Sequence, residues 1–214
     1  MTQEIQDKLS STLRIFSDLI ESPSCIDLIN ELKGVKNPTF IFSGVGKNWY
    51  ICEKEVKTFI SMGLNAKSLD CTHALHGDLG MLMNPEEHKY VFFISKSGTT
   101  EEMVKLYDTI LFLKNRGIIK NIHLILICLN PNLIENTIGF DYIIKPTVQY
   151  ANIELDHRNL IPTLSIHMTQ LVLDYIGVML YENNPTLIEN YKYNHMGGSN
   201  GKALGMSKYL PKAV

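Results

Sequence analysis

The chain has 214 residues, 45% of them hydrophobic and 20% charged, with a formal net charge of −2. That supplies one large apolar core and leaves little room for a second domain. A near-neutral balance excludes an extended basic surface for nucleic acid or for an anionic membrane, so an anionic ligand would need a local pocket.

Between Ile5 and Leu32, Leu9, Leu13, Phe16, Leu19 and Ile20 recur at helical spacing. Ile26 and Ile29 follow a Ser22-Pro23-Ser24 break, so this stretch predicts two helices. An alternation then begins. Thr39 to Phe42 is a short apolar strand ending in the turn Ser43-Gly44-Val45-Gly46, and a helix runs from Lys47 to Met62, closed by Gly63. Ala66 to Leu69 predicts the second strand and Tyr90 to Ile94 the third, which ends in Ser95-Lys96-Ser97-Gly98. A helix from Thr99 to Asn115 follows, then strands at Ile122–Cys128 and Tyr142–Ile144, and a long apolar helix over Ile161–Tyr181. Continuous apolar strands separated by helices predict a parallel sheet buried on both faces. Ligands of such sheets sit beyond the carboxyl ends of the strands, where both Gly/Ser turns fall.

No repeat and no low-complexity linker divides the sequence, so residues 1–214 read as a single domain. Its N-terminal helices cover about 1–35 and a C-terminal helical tail about 185–214. Cys25, Cys52, Cys71 and Cys128 form no Cys-x-x-Cys pair, and the first eight residues lack the apolar core of a secretion signal. The longest strongly apolar run, Leu124 to Leu129, is far shorter than a membrane span. These features predict free thiols, a cytoplasmic location and no membrane partner.

Ser95-Lys96-Ser97-Gly98-Thr99-Thr100-Glu101-Glu102 sets hydroxyls and a glycine at a strand-to-helix turn, where backbone amides and the helix dipole can hold a phosphate. Ordinary capping by Ser97 or Thr99, with Glu102 closing a capping box from Thr99, reads the same residues equally well. Gly44-Val45-Gly46-Lys47 fails both nucleotide patterns. A P-loop needs glycine where Ile41 stands and Ser or Thr at Asn48, and a dinucleotide turn needs glycine at Trp49. Lys47 is better suited to be a charge for a bound sugar phosphate, or else a solvated lysine in the first turn of the helix. His73 and His76, with Cys71 and Asp78 nearby, lack the second separated pair that a zinc site requires, so no metal is expected.

These segments together resemble the SIS (sugar isomerase) domain, and within it the arabinose-5-phosphate isomerases. The carriers are Gly44-Val45-Gly46-Lys47, Ala74-Leu75-His76-Gly77-Asp78-Leu79-Gly80-Met81, Ile94 to Glu102, Ile161-Pro162-Thr163 and His195-Met196-Gly197-Gly198. The resemblance implies a three-layer α-β-α sandwich on a five-stranded parallel sheet of flavodoxin-like order. It also implies interconversion of D-arabinose 5-phosphate and D-ribulose 5-phosphate through an enediol, with no cofactor. Matched residue by residue, the catalytic set is Lys47, His76, Glu102, Glu154 and His195. Ser43, Ser95, Ser97 and Thr100 are the expected phosphate ligands. Lys47 would stabilise the enediolate, His195 or Glu154 would move the proton, and His76 and Glu102 would serve ring opening or orientation. The resemblance further implies a homotetramer with sites between subunits, in the short form without CBS domains. Asn48, Trp49, Met196 and Asn200 depart from the family pattern. A non-catalytic sugar-phosphate regulator and an isomerase of another ketose phosphate are the alternatives.

Overall fold

In a computed structural model, which describes residues 2–130, 132–133, 139–150 and 153–210, two helices lead into the sheet. α1 (Thr2–Ile20) and α2 (Pro23–Gly34) are separated by Ser22, whose hydroxyl accepts from Cys25 N at 3.3 Å, with Pro23 in the first turn of α2. The sheet comprises β1 (Thr39–Gly44), β2 (Asn65–Ser68), β3 (Lys89–Ser95), β4 (Ile122–Cys128) and β5 (Tyr142–Ile144). All pairs are parallel and the order is β2-β1-β3-β4-β5, the flavodoxin-like order expected. α3 (Lys47–Ser61), α4 (Glu101–Asn115) and α5 (Leu164–Glu182) follow β1, β3 and β5. The tail holds α6 (Pro185–Asn194), α7 (Gly198–Ala203) and a 3-10 turn at Ser207–Tyr209; residues 211–214 of the expected tail lie outside the described residues.

Strand parity builds the two cores. Phe40, Phe42, Tyr90, Phe92, Ile94, Ile125 and Ile127 face α1, α2, α3 and α5. Their alternates Ile41, Val91, Phe93, Leu124, Leu126 and Cys128 face α4 and the segment between β2 and β3. Helices therefore cover both faces, as a three-layer sandwich requires. Phe59 of α3 packs edge-on to Phe40 and Phe42, each with ring centroids 5.0 Å away. α3 and α5 approach closely because Gly177 carries no Cβ; one built there would lie 2.7 Å from Met62 Cε and 2.9 Å from Phe59 Cε2.

Two helix starts differ from the periodicity. α4 begins at Glu101 because Thr99 and Thr100 belong to the turn. α5 begins at Leu164, three residues beyond Ile161, because the Asp156 carboxylate collects the N–H groups of Arg158, Leu160 and Ile161 at 3.2, 3.0 and 2.9 Å. That local loop competes with helix for the same donors. α5 has the length and hydropathy of a membrane span, 19 residues at a mean of 1.2, yet half of it is buried in the described fold, as befits a core helix.

Candidate functional site

The carboxyl ends of β1 and β3 lie side by side, with Gly44 opposite Ile94. The chain leaves β1 through α3 toward one face and leaves β3 through α4 toward the other. A crevice opens between them, at the switch point of the sheet.

One wall is the Ser95–Thr100 turn. Ser95 Oγ accepts from Gly98 N at 3.0 Å and pairs with Thr100 Oγ1 at 3.0 Å. Ser97 Oγ accepts from Thr99 N and from Thr99 Oγ1 at 3.2 and 3.1 Å. Gly98 sits at φ 75, and a Cβ there would meet Leu133 Cδ2 at 2.6 Å. Thr100 occupies the N-cap of α4 but its side chain makes no capping hydrogen bond, and Glu102 is exposed. The Thr99–Glu102 capping box is thus not formed. The first amides of α4, with the positive end of its dipole, are left without a side-chain cap next to Thr100, which lines the crevice.

The crevice has two adjoining compartments. The larger, about 430 Å³, is lined by Ser95, Ser97 and Thr100 together with Asn48, Lys96, Asn130, Gln149 and Asn159. The smaller, about 130 Å³, includes Lys47, Ser165 and Thr169. Asn48 and Lys96 line both. A separate cavity of about 270 Å³, lined by Leu32, Asn37, Asn65, Leu180 and Asn183 among others, opens at the amino ends of the strands, far from these residues.

Glu154 is fully buried. Lys96 Nζ donates to its Oε1 at 2.6 Å, while Thr163 N and Ser165 N donate to Oε2 at 2.7 and 3.3 Å. Burial alone would push the carboxyl pKa up; the Lys96 ammonium and the donors at the start of α5 outweigh it and hold the group below the ordinary glutamate range. Both oxygens are therefore engaged and the group stays ionised. That arrangement suits a cap for α5 and a counter-ion for Lys96.

Ser43 is turned away from the crevice. Its hydroxyl donates to Leu69 O at 2.6 Å, stands 3.1 Å from Cys71 Sγ and is fully buried, because strand parity turns it toward the chain leaving β2. It ties two strand ends together and lines neither compartment. His76 is exposed on a 3-10 turn, Ala74–His76, just after β2, and Gly77 follows at φ 131. Glu102 lies near enough to Cys71 for its charge to help raise that buried thiol, after burial itself. His76 and Glu102 thus belong to the β2 side of the same sheet end. Among the described residues, no group of three or more His, Cys, Asp and Glu side chains is arranged to hold a metal ion.

His195 lies elsewhere. It follows α6, its ring stacked on Tyr191 at 4.0 Å and its Nδ1 3.1 Å from Tyr191 O. α6 sits at the far end of α3, where Asn194 Nδ2 donates to Ser61 O at 3.3 Å. Lys47 begins α3 and Ser61 ends it, so about 20 Å of helix, at about 1.5 Å per residue, separates His195 from Lys47 within one chain.

Lys47, Ser95, Ser97 and Thr100 therefore line the crevice, Glu154 is buried behind it against Lys96, and His195 lies away from it. Sequence reasoning missed Lys96 and the amides of Asn48, Asn130, Gln149 and Asn159. Lys96 had a signal, since it occupies the variable position inside the Ser-x-Ser-Gly turn, and Asn130 follows the carboxyl end of β4.

No protein-family model matches the chain. A Haemophilus influenzae protein named probable arabinose 5-phosphate isomerase is 34% identical over 179 residues, which cover 84% of this chain and 48% of that protein. Arabinose 5-phosphate isomerase KpsF of Escherichia coli is 29% identical over 195 residues, 91% of this chain and 55% of KpsF. The chain thus spans about half the length of the curated relatives it matches. Among solved structures, an E. coli CFT073 protein in complex with arabinose 5-phosphate aligns with a TM-score of 0.67 at 25% identity, covering 89% of this chain and 96% of that one.

Proposed function

We propose that this chain, which is a homologue of the arabinose 5-phosphate isomerases and carries the SIS fold, interconverts D-arabinose 5-phosphate and D-ribulose 5-phosphate through an enediol intermediate. The observation that carries this reading is the Ser95–Thr100 turn, with α4 uncapped behind it, at the β1/β3 switch point. Hydroxyls and helix amides hold a phosphate without cleaving it. The adjoining compartment, with Lys47, suits the sugar end of the same molecule.

The reaction moves a proton between C1 and C2, and charge develops on the two oxygens those carbons bear. Lys47, at the start of α3, would stabilise that charge. With Glu154 held ionised and fully engaged, proton transfer falls to His195. About 20 Å from Lys47 along α3 of its own chain, that histidine would serve the site of a second copy. This favours an assembly with sites between subunits, and we read it as a homotetramer acting in the cytoplasm. His76 and Glu102 at the rim would assist ring opening or orient the open-chain sugar, and no cofactor is required.

The test is NMR of the purified protein with D-arabinose 5-phosphate, and separately with D-ribulose 5-phosphate, in deuterated water. Turnover in both directions, with deuterium entering C2 of the aldose, is expected. Binding without conversion would support the sugar-phosphate regulator instead, and neither binding nor conversion would refute both.

A further inference from the structure

Among the described residues, the only cationic side chain that lines both compartments of the crevice is Lys96. It stands between the hydroxyl turn and the Lys47 pocket, half-buried, and one of its three N–H groups is spent on Glu154 Oε1 at 2.6 Å. The other two have no protein partner among the described hydrogen bonds and project from a position bordering both spaces. Glu154, anchored by Thr163 N and Ser165 N, cannot follow the lysine if it swings away. The ion pair therefore restricts a long side chain that would otherwise sample many rotamers.

We propose that Lys96 is a substrate-contacting residue, oriented by Glu154, which donates both to the phosphate held by the Ser95–Thr100 turn and to a sugar oxygen in the adjoining pocket. This rests on reading the crevice as a sugar-phosphate site. Charge balance agrees with a ligand that is anionic at one end only. Glu154 balances Lys96, the turn hydroxyls and helix amides are left for the phosphate, and Lys47, with no ion pair among the described residues, is left for the charge that develops on the sugar oxygens. Glu154 is accordingly a positioning residue that acts through Lys96.

The experiment compares wild type, Lys96→Gln, Lys96→Arg, Glu154→Gln and the Lys96→Gln/Glu154→Gln double variant. Each is checked for folding by circular dichroism, then titrated calorimetrically with D-arabinose 5-phosphate and with inorganic phosphate and assayed for kcat and KM. The Gln amide can keep one of the two contacts as a neutral donor, so loss of the other together with the charge predicts that Lys96→Gln weakens sugar-phosphate binding about ten- to a hundred-fold. Inorganic phosphate should weaken less, since it forgoes the contact to the sugar oxygen, and Lys96→Arg should recover part of the loss. If Glu154 acts through Lys96, Glu154→Gln raises KM in the wild-type background and adds little in the Lys96→Gln background. A folded Lys96→Gln protein with wild-type affinity and KM would overturn the proposal while leaving the isomerase reading intact. Failure of the wild-type protein to bind either ligand would overturn the reading of the crevice and the proposal with it. If Glu154→Gln does not fold, the Lys96 variants alone decide.

Discussion

Glu55 offers the sharpest physical test of the packing between α3 and α5. Its side chain is fully buried and its Oε2 has no hydrogen-bond partner. Lys54 Nζ reaches Glu55 Oε1 at 3.0 Å and Asp174 Oδ1 at 2.5 Å, so one ammonium is shared by two carboxylates. Burial, with repulsion from Asp174 adding to it, pushes the Glu55 pKa from 4.5 up to about 7, although Lys54 pulls the other way. The native state therefore binds this proton more tightly than the unfolded chain does. Its stabilising effect is complete below about pH 4.5 and is lost as pH rises through about 7. At about 1.4 kcal/mol for each tenfold difference in proton affinity, the full effect is about 3 kcal/mol. Urea unfolding of wild type and Glu55→Gln at several values between about pH 5 and about pH 8.5 measures it, because titrating groups outside the Lys54–Asp174 pair cancel in the difference. Wild type should lose most of that, about 2.5 kcal/mol, relative to Glu55→Gln across that range, or about 5–10 °C in melting temperature for a chain of this size. Parallel pH profiles for the two proteins would refute the argument.

Two further outcomes follow from the site. Gly98→Ala imposes a side chain at φ 75 and drives a Cβ against Leu133, so it should cost about 1–3 kcal/mol and depress sugar-phosphate affinity, measured by thermal shift with and without ligand. If His195 serves the crevice of a second copy, His195→Ala and Lys47→Ala should each be inactive yet folded. Unfolding and refolding them together should restore about a quarter of wild-type activity in a dimeric arrangement, since half the pairs are mixed and each carries one intact site. Persistent inactivity of the refolded mixture would place both residues in the same chain's site and contradict the separation along α3.

Sequence periodicity determined much of this molecule. Continuous runs such as Val91–Ile94 and Ile122–Cys128 specify strands buried on both faces. Parity within them assigns each side chain to one core or the other, and the Gly/Ser turns after β1 and β3 mark the end at which parallel sheets of this kind take their ligands. What periodicity carries is local, and three features of the site are not. Lys96 and Glu154 are 58 positions apart, and they meet only because the turn after β3 and the start of α5 pack over the same sheet end. Ser43 reads as one more hydroxyl in a polar turn, until pairing of β1 with β2 brings Leu69 O within reach and commits it inward. His195 carries the right chemistry in the right motif, but α6 docks on the far end of α3, about 20 Å from Lys47 at the helical rise. A motif determines which groups are available; docking of helices onto the sheet, driven by apolar burial at faces such as Phe59 against Phe40 and Phe42, determines which of them can touch one ligand.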